Sequence, residues 1–359
     1  MLARIGFALL LAVLPALQAS AQTAYRLEER VPHLRWPWSV ALLPDDRFLI
    51  TEREGRLLLA DARGERKVLA GTPDTVFAGQ GGYMDVITDS DFAKNQFIYL
   101  SYAEGTPTEN GTAVFRARLR DDALEEGRQI LRVARDKVTP NHYGGRLLMV
   151  DDVLLVTTGD GYEHREDAQD LDSELGKVLR IDRQGRPAGI PGAKGDPLRI
   201  WTLGHRNPQG LALDARRRIV YSHEHGPRGG DEINRLRAGA NYGWPLATYG
   251  VSYSGALVSP FHTLPDMQDP LWTWTPSIAP SGLAFYSGDA FPEWRDSLLL
   301  GALVDREVRR LQMRGETIVF EESLFADLNA RIRDVRVFGE RIFVLTDGED
   351  ATLFEVKRS

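Results

Sequence analysis

The sequence predicts an all-β protein, a six-bladed β-propeller built from four-stranded antiparallel blades. One pattern recurs six times: an apolar run, a turn rich in Asp, Gly or Asn, a second apolar run, a polar or glycine-rich loop, and a further strand. Stretches with helical periodicity are short, and 34 glycines with 19 prolines suit a turn-rich sheet protein. Two β-sandwich domains are the alternative, which the absence of a linker-like change in composition disfavours.

The six repeats follow one another along the chain without a long interruption. Their strand segments are, blade by blade, 39–46, 47–51 and 56–60; 84–87, 97–102 and 113–117; 147–150, 153–158 and 178–181; 210–214, 219–222 and 232–236; 282–286, 297–301 and 308–311; 334–338, 342–346 and 353–356. A propeller must join its first and last blades, so we expect residues 24–31 to add a strand to the final sheet.

The N-terminus has the form of a signal peptide. Arg4 precedes an apolar run at residues 5–17, and Ala19-Ser20-Ala21 is a small-x-small cleavage site. We expect residues 1–21 to be removed and residues 22–359 to form a single propeller domain in the bacterial periplasm. The apolar run is too short for a comfortable membrane span, and the chain has no cysteine for a disulfide or a lipid anchor.

The net charge of the chain limits the classes of molecule that it can bind. The formal net charge is −7 at pH 7, which argues against nucleic acid and against an anionic membrane surface.

The motif His-Tyr-Gly-Gly-Arg at residues 142–146 is the first candidate for chemistry. It opens an apolar hairpin whose second strand runs into Gly159-Asp160-Gly161. His142 and Asp160 therefore stand at the ends of one hairpin. An aspartate beside an imidazole fixes its tautomer and raises its basicity, as a general base needs. The alternative is a surface loop whose histidine has no function.

Four further loops carry polar residues that suit a ligand site. Gln80 stands among the glycines of residues 79–82, where backbone can approach a flat ligand. Residues 204–210 place Arg206 and Asn207 between two glycines. Arg331 and Arg333 alternate along an extended segment, so both side chains point the same way and can bind carboxylates. Each loop alone could equally be an ordinary turn or a charged surface.

Residues 225–232 form the fourth of these loops, which follows a strand directly. The turn at Gly226 and Pro227 can point successive carbonyl oxygens in one direction, and hard cations bind such oxygens together with carboxylates. Glu232 is a candidate carboxylate. Asp231 is interpreted as a solvated strand end.

Each of these loops lies at the same end of a blade, so a propeller would gather them around one end of its channel. In these motifs the chain resembles the soluble pyrroloquinoline quinone (PQQ)-dependent glucose/sorbosone dehydrogenases, above all the bacterial periplasmic aldose sugar dehydrogenases. The resemblance extends from about Val40 to Val356. It rests on the motifs at residues 81–85, 91–95, 141–146, 158–160, 168–172, 175–180, 204–210, 224–227, 231–234, 241–245 and 331–333, in that order.

The resemblance implies a role for each candidate residue. His142 stands at the position of the family's general base, Asp160 at that of the carboxylate that orients it, and Arg206 at that of the cation beside the quinone oxygens. The positions that contact PQQ are Gln80, Asn207, Arg331 and Arg333. The resemblance also implies two Ca²⁺ sites: backbone oxygens of Gly226 and Pro227 at the quinone, and Glu232 with Tyr242 at a structural site.

The resemblance further implies oxidation of aldoses at C1 to lactones by a monomer that passes electrons to a periplasmic acceptor. The segment at residues 249–275 is rich in Tyr, Trp, Pro and His, which can stack on sugar faces. One departure is Val304, where the family has a lysine against the quinone. Two other classes remain open: a Ca²⁺-dependent lactonase-type propeller, and a non-catalytic propeller that binds sugar or a protein.

Overall fold

The computed structural model describes residues 24–192 and 195–359, and within them the chain forms six four-stranded antiparallel sheets. This confirms the predicted propeller. The expected signal peptide at residues 1–21 lies outside the described residues. In each of the first five blades the strands follow one another in sequence order from the innermost strand to the outermost.

The first three blades contain strands β2 to β13. Blade 1 comprises β2 (Pro37–Leu42), β3 (Phe48–Glu52), β4 (Arg56–Ala60) and β5 (Arg66–Val68). Blade 2 comprises β6 (Tyr83–Thr88), β7 (Phe97–Thr106), β8 (Glu109–Arg120) and β9 (Ala123–Arg132), with a one-turn helix, α1 (Phe92–Asn95), between its first two strands. Blade 3 comprises β10 (Leu147–Val150), β11 (Val153–Thr158), β12 (Lys177–Asp182) and β13 (Ile200–Leu203).

The remaining blades contain strands β14 to β24. Blade 4 comprises β14 (Pro208–Asp214), β15 (Ile219–Glu224), β16 (Asp231–Leu236) and β17 (Trp272–Trp274). Blade 5 comprises β18 (Pro280–Tyr286), β19 (Ser297–Ala302), β20 (Glu307–Arg314) and β21 (Thr317–Leu324). Blade 6 comprises β22 (Ile332–Phe338), β23 (Arg341–Thr346) and β24 (Ala351–Arg358). Three 3₁₀ turns lie at Arg165–Gln169, Pro292–Trp294 and Ala326–Leu328.

The last blade is completed by the beginning of the described chain. Strand β1 (Tyr25–Leu34) pairs antiparallel with β24, with Tyr25 opposite Arg358 and Leu34 opposite Ala351. This confirms the strand expected near residues 24–31. Because the two ends of the chain share one sheet, the ring is held closed by the backbone hydrogen bonds of that sheet.

Apolar side chains fill the spaces between adjacent blades. One cluster joins blades 1 and 2 through residues such as Leu49, Leu57 and Ile98, and another joins blades 6 and 1 through Phe343 and Phe48. Strands buried on both faces are therefore mostly apolar, as Phe48, Leu49 and Ile50 show in the fully buried strand Phe48–Glu52. Among the described residues no helix has the length and apolar character needed to cross a bilayer.

A buried charge cluster joins residues on or next to the innermost strands of blades 2, 3 and 6. Arg146 lies 3.1 Å from Asp334 and 3.5 Å from Asp85. Arg336 bonds both aspartates, at 2.7 Å to Asp334. Two guanidinium groups thus balance two carboxylates, which is the condition under which charges tolerate burial.

Candidate active site

His142 and Asp160 form a buried pair at the end of the β10–β11 hairpin. Nδ1 of His142 lies 2.7 Å from Oδ1 of Asp160, and the two side chains are 5% and 1% exposed. An ionised carboxylate accepts the Nδ1 hydrogen, which leaves Nε2 with its lone pair free to accept a proton. The predicted proximity of the two residues is confirmed.

Burial and charge set the protonation of this pair. Burial lowers the pKa of His142; Asp160 opposes this shift and the charge of Arg206 adds to it. Burial works to raise the pKa of Asp160, but the hydrogen bond from His142, the charge of Arg206 and the backbone N–H of Tyr162 together outweigh it, so that pKa is lowered. The histidine is therefore neutral and the aspartate ionised near neutral pH, which are the states that a general base and its orienting group require.

Two further donors fix the Asp160 carboxylate. Nε1 of Trp244 donates to Oδ2 at 2.8 Å, and the backbone N–H of Tyr162 donates to Oδ1 at 2.8 Å. The motif at residues 241–245 was recognised in the sequence, but nothing in the sequence assigned its tryptophan to the aspartate. With both oxygens engaged, the carboxylate cannot rotate away from His142.

His142 opens into a cavity of about 720 Å³ at the channel mouth. Eight of the residues that the sequence singled out line it together: Gln80, His142, Arg206, Asn207, Gly226, Pro227, Arg331 and Arg333. The prediction that these loops gather at one end of the propeller is confirmed. The volume is in the range of cavities that hold small-molecule ligands and cofactors.

Gln80 and Asn207 use their side-chain oxygens to hold the His142 loop. Oε1 of Gln80 accepts the backbone N–H of His142 at 3.0 Å, and Oδ1 of Asn207 accepts that of Gly144 at 3.0 Å. Each carboxamide keeps its NH₂ group for a ligand in the cavity. These two residues can therefore hold the His142 loop with their oxygens and bind a ligand with their NH₂ groups.

Arginines give one wall of the cavity a positive character. Arg331 and Arg333 both pair with Asp347, at 3.1 Å in each case. Burial works to raise the pKa of Asp347, but the charge of Arg333 and the hydrogen bonds outweigh it, so that pKa is lowered. Two cations face one anion, so a net positive charge remains for an anionic ligand.

Arg206, from the loop that precedes blade 4, also lines the cavity. Its Nη1 donates to the carbonyl of Gly226 at 2.7 Å and to that of His225 at 3.1 Å, and its Nη2 lies 3.5 Å from the Tyr253 hydroxyl. The guanidinium group therefore contacts the carbonyl turn that the sequence proposed for a cation. A ligand in the cavity would meet Arg206 and this turn together.

The turn at Gly226 is rigid. Its N–H donates to Asp231 at 2.9 Å, and a Cβ at position 226 would stand 2.2 Å from the carbonyl oxygen of Gly229. The interpretation of Asp231 as a solvated strand end is wrong. Asp231 is fully buried, and its other oxygen accepts from Ser277 and from two backbone N–H groups. The Asp231 carboxylate therefore holds the turn in place, and it tolerates burial because hydrogen-bond donors surround both of its oxygens.

Glu232 and Tyr242 line a small separate cavity next to Arg206 and Gly226. Burial, together with the charge of nearby Glu224, raises the pKa of Glu232 well above its usual range. A buried carboxylate with too little positive charge around it suits a bound cation. No cluster of three or more His, Asp or Glu side chains arranged for a metal occurs among residues 24–192 and 195–359, so backbone oxygens would have to complete either cation site.

Sequence reasoning missed several residues of the cavity. They are Trp36, Trp38, Arg53 and Asp347. Gln209, His225 and Tyr253 also line the cavity; they lie in segments that the sequence singled out, at residues 204–210, 225–232 and 249–275, but were not assigned to the site individually. The Trp-Pro-Trp run at residues 36–38 and the Asp-Gly turn after β23 were visible signals, because both stand at blade ends. Val304 is not among the lining residues; its neighbour Leu303 is, and Val304 itself is 57% exposed.

A buried histidine–aspartate pair that opens into a cation-lined cavity on the axis of a propeller defines a catalytic propeller. The sequence profile of the Glucose / Sorbosone dehydrogenase family matches residues 34–355. The chain belongs to this family and is an oxidoreductase, because its relatives are aldose sugar dehydrogenases and glucose dehydrogenases.

Individual relatives agree with this assignment. The chain is 40% identical to the aldose sugar dehydrogenase YliI of Escherichia coli over 342 residues, which cover 92% of this chain and 91% of the relative. It is 27% identical to the quinoprotein glucose dehydrogenase B of Acinetobacter calcoaceticus, covering 88% and 84%. Its structure matches that of the soluble aldose sugar dehydrogenase of Escherichia coli in the apo-form with a TM-score of 0.89 and 37% identity, covering 93% and 100%.

Proposed function

We propose that the protein is a quinoprotein aldose sugar dehydrogenase that oxidises the C1 hydroxyl of aldoses to lactones. The single observation that carries the proposal is the pair formed by His142 and Asp160, buried together with Nε2 free at a cavity of about 720 Å³. A base at the edge of a cation-lined cavity is what the removal of a hydroxyl proton requires.

The cavity residues fit PQQ and Ca²⁺. Arg331 and Arg333 offer guanidinium groups to the carboxylates of the quinone, and the free NH₂ groups of Gln80 and Asn207 offer neutral donors. The carbonyls of Gly226 and Pro227 would hold Ca²⁺ at the quinone, and Glu232 with the Tyr242 carbonyl would hold a structural Ca²⁺. When bound, PQQ supplies the electrophile that accepts a hydride, and Ca²⁺ supplies a Lewis acid beside it.

The protein's own part in the proposed reaction is position and proton transfer. Nε2 of His142 takes the C1 hydroxyl proton while the C1 hydrogen leaves with its electron pair, so the C1–O bond becomes the carbonyl of the lactone. Asp160 keeps the imidazole in the required tautomer and stabilises its charged form. Arg206 supplies positive charge at the cavity wall.

The cavity wall argues against a lactonase-type hydrolase. Asp347 is the one carboxylate among the residues that line the main cavity, and both Arg331 and Arg333 neutralise it. A hydrolytic Ca²⁺ site of that type needs several carboxylates converging on the axis. The arrangement of cations around the cavity suits an anionic cofactor instead.

We also propose that the enzyme acts in the periplasm. Residues 1–21 would direct export and be cleaved, leaving one catalytic propeller that begins at Gln22 and works as a monomer with a periplasmic electron acceptor. Mass spectrometry of the protein recovered from a periplasmic extract checks this, because the expected N-terminus is Gln22. A chain that retains Met1 would contradict it.

The substrate class is tested with apo protein incubated with PQQ and Ca²⁺. We expect sugar-dependent reduction of a redox dye by several aldoses, including disaccharides, with the lactone as product. The same preparation should not hydrolyse sugar lactones. Activity confined to non-carbohydrate alcohols, or lactone hydrolysis without dye reduction, would contradict the proposal.

A further inference from the structure

Lys137 is a buried lysine next to the His142 loop. The proposed reaction gives this lysine no role. Its side chain is almost fully enclosed. Its Nζ donates to Oδ1 of Asn110 at 2.8 Å and to the carbonyls of Thr139 and Asn141 at 3.2 and 2.9 Å. All three acceptors are neutral, so Lys137 is not half of an ion pair within this set.

Two influences on the protonation of Nζ oppose each other. Burial lowers the pKa of Lys137 to about 6. The three acceptors act in the opposite direction, because an ammonium has a hydrogen for each whereas an amine has only two. The face of the Tyr143 ring, whose centre lies 3.0 Å from Nζ, also favours a cation.

Lys137 and Gln80 hold the same peptide group from its two ends. The carbonyl of Asn141 and the N–H of His142 belong to one peptide unit. Lys137 donates to that carbonyl, and Oε1 of Gln80 accepts that N–H. This peptide precedes a histidine with a φ of 50°, a left-handed conformation that non-glycine residues rarely adopt without support.

We propose that Lys137 is a positioning residue that fixes the 141–142 peptide and thereby aims the imidazole of His142 at Asp160 and into the cavity. Its effect on catalysis rests on the proposed function. Its effect on the geometry of His142 does not, and can be measured without any cofactor.

A charge at Lys137 has a second effect on His142. The groups that act on the imidazole are the charged or titratable side chains of Asp160, Arg206, Lys137 and His225, and the ring of Tyr162, which meets it edge-on at 5.1 Å. Lys137 lowers the pKa of His142, as Arg206 does, whereas Asp160 raises it. Replacing Lys137 removes the charge that it carries when protonated and should therefore raise the pKa of His142.

The test compares Lys137→Met with Lys177→Met in the apo protein. Lys177 is a matched control, since it is equally buried and also donates to three carbonyls, but these belong to residues 167, 168 and 175. NMR of the ring nitrogens follows the His142 titration, with His142→Gln used for assignment. We expect an upward shift of the His142 pKa and loss of the low-field Nδ1 proton signal in Lys137→Met, and neither change in Lys177→Met.

Kinetics of the reconstituted enzyme complete the test. Displacement of a catalytic group by about 1 Å can cost roughly 100-fold in rate, so we expect kcat of Lys137→Met to fall by about 10- to 100-fold. If that variant does not fold, Lys137→Gln replaces it; this side chain still donates to a carbonyl but carries no charge, so the pKa should rise with a smaller loss of kcat.

Two outcomes separate this inference from the proposed function. Wild-type protein that binds no PQQ and oxidises no sugar defeats the proposed function, while the apo titration still decides the role of Lys137. An active wild type with the same His142 titration in Lys137→Met and Lys177→Met overturns the positioning role and leaves the proposed function intact.

Discussion

At the scale of single residues, the chemistry depends on how the fold treats His142. Its backbone is left-handed, its Nδ1 is bonded to Asp160, and Asp160 is fixed by Trp244. The sequence could predict the histidine–aspartate pair because both residues end strands of one hairpin. It could not predict Trp244 or Lys137 as supports, because these contacts depend on loop conformations that no local spacing encodes.

Replacement of the base tests its role. If His142 accepts the hydroxyl proton, His142→Ala should bind PQQ as the wild type does but lower kcat by roughly 10²- to 10⁴-fold, the usual contribution of a positioned base. Steady-state kinetics of the reconstituted variant measure this. His33→Ala, at an exposed histidine paired with Asp350, is the control and should match the wild type. A fully active His142→Ala would exclude the assignment.

The lowered pKa of His142 predicts the pH dependence. The base must be unprotonated, and a group whose pKa lies below its ordinary value of about 6.5 loses its proton at lower pH. The acid limb of kcat/KM should therefore have its midpoint below 6.5, with a plateau through neutral pH. Asp160→Asn removes a charge that raises this pKa, so its limb should move lower while the plateau falls. An acid limb centred above 6.5 would contradict this account.

A substitution at Val304 tests the one departure from the family pattern. A lysine here would restore a charge-assisted hydrogen bond worth about 1.5–3 kcal/mol, or roughly a 10- to 150-fold decrease in the Kd for PQQ, less the cost of ordering a long side chain. Titration of apo Val304→Lys with PQQ at fixed Ca²⁺ measures it, with Val304→Met as an uncharged control. Equal affinity of the lysine variant and the wild type would show that position 304 does not reach the quinone.

At the scale of elements, the sequence predicts the hairpins and the strand that closes the ring. It does not predict which residues the loops contact. Alternation and turn residues predict strands because side chains of a half-buried strand face the core at every second position. Asp231 shows the limit. Its buried position depends on Ser277 and on backbone donors in the connection between blades 4 and 5, which are far away in sequence.

Strand β1 should matter for stability because it closes the ring. Leu34 is fully buried opposite Ala351. Leu34→Ala should lower the free energy of unfolding by about 2–5 kcal/mol through lost burial and the cavity it leaves. Denaturant unfolding measures this. Glu29→Ala, at an exposed position of the same strand, should change stability by no more than about 0.5 kcal/mol. Equal effects of the two substitutions would mean that β1 does not anchor the ring.

At the scale of the whole molecule, six blades bring loops from distant parts of the chain to one cavity. Residues as far apart as Gln80 and Arg333 line it together. The sequence predicts this gathering because the loops recur at equivalent ends of successive repeats. It does not reveal that Asp347 bonds the arginine pair, since that contact arises between two strands of the last blade and is fixed only when the sheet forms.

The most direct test of the central claim is a single-turnover reaction of the apo protein loaded with PQQ and Ca²⁺. We predict that an aldose, added without an electron acceptor, will change the absorbance of the bound quinone stoichiometrically, and that deuterium at C1 will slow this change. The prediction is contradicted if the protein binds no PQQ at saturating Ca²⁺, or if the spectrum of bound PQQ does not respond to any aldose.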